Sequence, residues 1–129
     1  MLLSTALRNV LADAIDTDLG ASAVAKFQNA AQTATYATVS LSNPAFGGAA
    51  TGVITLSGTP SDTSPALSGT ATRLGFYDSA ATPVLLFTLG IATSGSPDIT
   101  MSNNVIATTD TVQISSLTIT VPAGSVDVT

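Results

Sequence analysis

The side chains best placed to do acid–base or metal chemistry are eight aspartates: Asp13, Asp16, Asp18, Asp62, Asp78, Asp98, Asp110 and Asp127. There is no glutamate, histidine or cysteine anywhere in the chain. Their absence removes the usual general base, the Ser-His and Cys-His nucleophile pairs and most transition-metal sites. Asp16 and Asp18 have the Asp-x-Asp spacing of a calcium loop, but Gly20 is followed by no bidentate acid, so a solvated helix end is expected instead. Asp62, Asp78, Asp98 and Asp110 sit among turn residues and are expected to accept from nearby backbone. A carboxylate pair for glycoside hydrolysis is disfavoured, because aromatics make up 5% of the chain and there is no Trp to stack on a sugar. Gly47-Gly48 and the stretch from Gly90 to Gly95 lack the Lys and the strand-to-helix context of a phosphate loop. The reading is therefore of a non-enzyme with no cofactor, no metal and no small-molecule substrate.

Charge narrows the partners. Only Arg8, Lys26 and Arg73 are basic, and the net charge is −5. No basic stripe exists to hold a phosphate backbone or an anionic membrane, so neither nucleic acid nor membrane is expected as a partner. Charged residues are 9% of the 129, against roughly 25% in typical soluble domains. Thr, Ser, Ala and Gly fill the remaining polar and small positions. A surface so poor in charge suits burial against neighbours, since charge is depleted in interface cores. Met1-Leu2-Leu3 lacks a basic n-region, and Arg8, Asn9 and Asp13 interrupt any apolar core, so a signal peptide is not expected.

The elements that must position these residues follow from periodicity. Ser4 can cap a helix in which Leu7, Val10, Leu11, Ala14 and Ile15 form one apolar stripe. Arg8, Asn9, Ala12, Asp13 and Asp16 take the other side, and Gly20 is placed to end the helix. A helix of this length is marginal alone, so the stripe is expected to dock on the chain's own sheet or on a neighbouring subunit. Leu7, Val10, Leu11 and Ile15 are the docking candidates. Arg73 and Tyr77, facing the same way on one strand, are further interface candidates, with outward snorkelling the simpler account of Arg73.

From residue 23 the period changes to two. Strands are expected at residues 23–28, 35–41, 52–57, 69–78, 84–91 and 98–101, with a weaker one at 105–107. Leu74 and Phe76 should share one face of their strand. Residues 84–91, apolar on both faces, should be the most buried. A last long strand at 111–121 changes phase at Ser115-Ser116, which implies a β-bulge. Residues 58–68 read as a loop, Asp78 to Pro83 as a hairpin connection, and Ser94 to Pro97 as a turn. The tail, residues 123–129, is expected to fray. The expected fold is all-β: an antiparallel β-sandwich, jelly-roll or Ig-like, of about seven or eight strands with one short N-terminal α-helix. It is a single domain, with residues 1–20 as the helix, packed on the sandwich or on a neighbour, and residues 21–129 as the sandwich.

Three runs carry a family resemblance: Thr72-Arg73-Leu74-Gly75-Phe76-Tyr77-Asp78-Ser79-Ala80, then Leu89-Gly90-Ile91-Ala92-Thr93-Ser94-Gly95-Ser96-Pro97-Asp98-Ile99, and Asp110-Thr111-Val112-Gln113-Ile114-Ser115-Ser116-Leu117-Thr118-Ile119-Thr120-Val121-Pro122-Ala123. With the opening Ser4-Thr5-Ala6-Leu7-Arg8-Asn9, these resemble small virion-associated structural proteins of tailed bacteriophages. The resemblance implies capsid decoration, or cement, at junctions between capsomers. It implies as partners the major capsid protein and copies of the chain itself, in a homotrimer. The location implied is the capsid surface of the virion, after synthesis in the host cytoplasm. A tail- or fibre-associated structural or adhesin module is the alternative. The resemblance transfers no functional residue.

Overall fold

The computed structural model describes residues 1–91, 95 and 97–124. Among them the chain is mostly β, with one N-terminal helix and several sheets that do not close into a barrel. Helix α1 spans Thr5–Leu19; the Ser4 hydroxyl accepts from the Leu7 N–H at 3.1 Å, and Gly20, at φ +70°, ends it by donating to Asp16 O. Both caps are the ones the sequence supplies.

The largest sheet has the order β2-β1-β6-β7-β8, in which β1 is Val24–Gln28, β2 Thr35–Ser40, β6 Arg73–Tyr77, β7 Pro83–Ile91 and β8 Ile99–Met101. Three two-stranded ribbons complete the strands among the described residues: β3 (Val53–Thr55) with β11 (Thr118–Thr120), β4 (Ser61–Asp62) with β10 (Val112–Gln113), and β5 (Gly69–Thr70) with β9 (Val105–Ile106). All pairings are antiparallel except β7 with β8, which run parallel after residues 92–98. That pair departs from the purely antiparallel expectation. The expected turn at Ser94 to Pro97 lies partly outside the described residues, as does the tail from residue 125.

Alternation in the sheet builds the core. Ala25 and Phe27 of β1, Ala37 and Val39 of β2, and Leu74 and Phe76 of β6 are all buried. From the opposite side Phe46 brings its ring to 6.1 Å from that of Phe76, which in turn meets Phe87 edge-on at 5.9 Å. The first pair is tilted, with 40° between ring planes, and the second is the T-shaped arrangement that aromatic rings favour.

The other face of the sheet closes over a glycine. Gly75 lies between Lys26 on β1 and Leu86 on β7. A Cβ there would stand 2.6 Å from the Tyr77 ring and 3.0 Å from Leu86. The missing side chain lets the Tyr77 ring lie flat along its own strand. Its hydroxyl then donates to Gln28 Oε1 at 2.7 Å, and Lys26 Nζ sits 4.6 Å above the ring centroid. Tyr77 is only 7% exposed as a result.

The structure departs from three expectations. Residues 84–91 are not the most buried strand; that place belongs to β6, buried from Leu74 to Tyr77. The reason is that β8 covers β7 only at Leu89–Ile91, so the first half of β7 is a sheet edge and Leu86 is 42% exposed. The phase change at Ser115-Ser116 is not a bulge but a break between β10 and β11, which pair with different strands. Residues 69–78 likewise divide into β5 and β6, with Ala71 donating to Asn104 O and Thr72 to Gln28 O between them.

Gly75→Ala should destabilise the fold by about 1–3 kcal/mol, since the added methyl must displace a buried ring. Urea denaturation curves check this, and an unchanged midpoint would show that the Tyr77 ring does not need that space.

Candidate interaction surface

The helix meets the rest of the protein through its polar side. Asn9, Asp13 and Asp16, at i, i+4 and i+7, lie on one side of an α-helix. Asp16 Oδ1 accepts from the Phe46 N–H at 3.0 Å, Asp13 Oδ1 from Ala49 N–H at 2.8 Å, and Asn9 Oδ1 from Gly52 N–H at 2.7 Å. Three side chains spaced by helical turns thus take three backbone donors spaced by three residues, running the opposite way. Arg8 adds a fourth contact, its Nε donating to Val121 O at 2.8 Å. Ala12, between these polar groups, and Leu19, at the end of the helix, are fully buried, and Ile15 packs against the core.

The receiving segment is itself a tight hairpin. Ala50 and Val53 exchange both backbone hydrogen bonds across Thr51 (φ 51°) and Gly52 (φ +79°). Two successive left-handed residues are the signature of a type I′ turn, whose twist matches its strands. A Cβ at Gly52 would also come within 2.8 Å of Arg8 Nε and 2.9 Å of Val121 O. Gly52 is therefore required by conformation and by the close approach of the helix. Phe46 pairs with Leu56 at the other end of the hairpin, and Val121 N–H donates to Gly52 O, so β11 is stitched to the same unit.

Because the polar side faces inward, the apolar stripe faces outward. Leu7 is 45% exposed, Val10 64% and Leu11 43%, with Ala14 exposed beside them. Of the stripe expected to dock on the chain's own sheet or on a neighbouring subunit, only Ile15 packs against the chain's own core. The structure brings Leu7, Val10 and Leu11 together as one surface and puts Ile15 at its inner margin. There Leu11, Ala14, Ile15 and Asp18 line a shallow groove with Val84 and Leu85 of β7. Arg73 and Tyr77 lie away from this surface, on the outer face of the five-stranded sheet. Arg73 is half-buried with its Nε shut from solvent, and Tyr77 is covered, so neither joins the helix residues. Sequence reasoning missed Val84 and Leu85, and it placed Asn9, Asp13 and Asp16 opposite the apolar stripe without giving them a docking role. The available signal was their i, i+4, i+7 spacing, which suits side-chain acceptors aligned on a strand of backbone donors.

Four further aspartates are used in turns and straps, while Asp18 is exposed near the end of the helix. Asp62 accepts from Thr38 and Ser64 N–H, Asp78 from Ala80 and Thr82, and Asp110 from Ala107. Asp98 takes the backbone and hydroxyl of Thr88, capping the point where β8 begins. Asp127 lies outside the described residues. Among the described residues no group of three or more metal-ligating side chains could hold an ion. No family model matches the chain, and neither the curated proteins nor the solved structures contain a match.

Asp16→Ala should cost about 1–3 kcal/mol, because it strands the N–H of buried Phe46. Leu11→Asp in dilute solution should change stability by no more than about 0.5 kcal/mol, as expected for an exposed site. Thermal melts of both variants check the pair, and the reverse ranking would mean that the helix docks by its apolar stripe.

Proposed function

We propose that this chain is a non-enzymatic structural protein of a tailed-bacteriophage virion, a capsid decoration or cement protein that bridges capsid subunits. Its architecture in this reading is a β-sandwich, with the five-stranded sheet as one layer and the Phe46-to-Leu56 hairpin with β11 as the core of the other. The observation that carries the reading is the outward apolar stripe on a helix held by polar contacts. Such a helix presents Leu7, Val10, Leu11 and Ala14 in a fixed orientation, so covering them costs little ordering entropy. A charge-poor surface with a preorganised apolar ridge suits a permanent assembly, in which neighbours cover what water otherwise meets.

The partners in this reading are the major capsid protein and other copies of the chain. Many weak contacts, each repeated at every capsomer junction, then resist internal pressure through multivalency without any one being strong. The aspartates support the non-enzymatic part, since most of them are engaged as acceptors of backbone N–H groups. The tail or adhesin alternative needs a variable loop to present, and residues 58–68 are its natural place. That segment is strapped down: Ser61–Asp62 pair with β10, Asp62 holds Thr38, and Ala66 donates to Tyr36 O. Decoration of the shell is therefore the favoured member of the pair.

Immunogold labelling of purified virions with antibody to this protein should decorate the head shell. Labelling confined to the tail would replace decoration with the tail reading, and virions free of the protein would overturn both.

A further inference from the structure

The chain has three basic side chains, and the fold finds a place for two of them. Arg8 Nε donates to Val121 O, and Lys26 Nζ lies over the Tyr77 ring. Arg73 has neither a hydrogen bond nor an ion pair among the described residues. We propose that Arg73 seats a carboxylate of a neighbouring protein, on the outer face of the five-stranded sheet. The proposal rests on the assembly reading for the presence of that neighbour, and it names the chemistry of one contact with it. Snorkelling does not account for Arg73, because a snorkelling arginine keeps its head in water. Here Nε is shut from solvent while the Nη groups reach the surface. A buried donor without an acceptor is costly, and such groups are rare in folded proteins.

A second orphan points to the same missing partner. Among the described residues, the other buried side-chain nitrogen without a hydrogen bond is Gln32 Nε2. Arg73 pairs with Gln28, the last residue of β1, and Gln32 lies in the turn that follows Gln28 and leads into β2. Both orphans therefore belong to one end of β1, and both are donors. What this end of the sheet lacks is an acceptor. The neighbours of Arg73 in register do not supply it. Gln28 Oε1 accepts from the Tyr77 hydroxyl, and its Nε2 donates to Thr35 Oγ1. Thr88, opposite Arg73 on β7, has its hydroxyl engaged with Asp98, and Asp98 Oδ2 in turn takes the Thr88 N–H. The turn itself is fixed, since Asn29 Oδ1 accepts from the N–H groups of Thr33 and Ala34.

Charge selects the occupant. Lys26 lies opposite Gly75, two residues from Arg73 along β6, so both cations are on the same face. None of the strand residues on that face is acidic. Asp62 and Asp98 stand at its two edges, each holding a backbone N–H, of Thr38 and of Thr88. The centre of the sheet is thus positive in a chain whose net charge is −5. That net charge repels a polyanion, whereas a carboxylate set in an otherwise neutral protein surface feels mainly the nearby cations. A guanidinium and a carboxylate are matched in plane and in hydrogen-bonding sense. One such contact is weak alone and counts through its repetition across an assembly.

Triglutamate serves as the probe, titrated at low salt into the isotope-labelled chain and followed by NMR, with triglutamine as the neutral control. Triglutamate should shift the signals of Arg73 and Gln32, and added salt should reverse the shifts. Arg73→Gln should weaken binding about five-fold or more, as loss of a partly exposed ion pair does, and Lys26→Gln should weaken it less. Arg73→Met should hold or raise the melting temperature, because it removes a charge without a partner and keeps the apolar stem. No shift with triglutamate, an equal response to triglutamine, or unchanged affinity in Arg73→Gln would each overturn the proposal. So would a fall of several degrees in the melting temperature of Arg73→Met, which would mean that the fold itself uses the charge. Acetate binding as well as triglutamate at equal carboxylate concentration would make this a site for free anions and overturn the protein partner. The titration uses the isolated chain, so its failure is distinct from loss of labelling on the head shell.

Discussion

The ladder of Asn9, Asp13 and Asp16 on the backbone N–H groups of Gly52, Ala49 and Phe46 is the interaction on which the rest of this structure depends. It fixes how the helix is rotated about its own axis, and rotation decides everything a binding partner meets. Turned by its polar side, α1 buries Ala12 and Leu19 and offers Leu7, Val10 and Leu11 to solvent. The same three bonds hold the tight hairpin whose other end carries Phe46 into the core. Helix, turn and aromatic cluster are thus one unit, and loosening any of them loosens the others.

Hydrogen bonds and burial divide the work. A hydrogen bond to a charged acceptor contributes about 1.5–3 kcal/mol net, while a fully buried large apolar side chain contributes about 1.5–3 kcal/mol by itself. Phe46, Phe76, Leu19, Ile54, Leu74 and Val39, all essentially inaccessible, therefore outweigh the ladder as a source of stability. Burial is non-directional, however, and Ile15 and Leu19 would be buried about as well by a slightly rotated helix. The polar contacts choose among such rotations. Their direction is set by the backbone donors of the hairpin, which in turn need the left-handed geometry at Thr51 and Gly52.

Much of the local structure was legible in the sequence because its causes are local. Ser4 and Gly20 mark the helix ends by capping chemistry, and the alternation of Leu74 and Phe76 with Gly75 and Tyr77 places the right residues inward on β6. Asp78, accepting from Ala80 and Thr82, makes the hairpin read from its residue types. What was not legible depends on neighbours. Periodicity locates an apolar face but does not say whether the core or a partner covers it, so the docking of the helix through Asn9, Asp13 and Asp16 was not legible. The apolar run of β7 is half-exposed for the same reason: its burial depends on how far β8 reaches, and β8 is three residues long. The break at Ser115-Ser116 showed as a change of phase, but only the pairing partners distinguish a bulge from two strands.

The candidate surface was half legible. Leu7, Val10 and Leu11 were singled out by their stripe, whereas Val84 and Leu85 join them only through folding, and Tyr77 left the set because Gly75 lets its ring lie down. The most direct test of the central claim is amide hydrogen exchange at Ala49, followed by NMR in the parent protein and in Asp13→Ala. Ala49 lies between exposed residues Gly48 and Ala50, so its protection reports the Asp13 contact more than general burial. The account predicts an Ala49 amide that is slow in the parent and fast in the variant, with the β6 amides unchanged. An Ala49 amide that exchanges equally fast in both would mean that the helix is not held by its polar side.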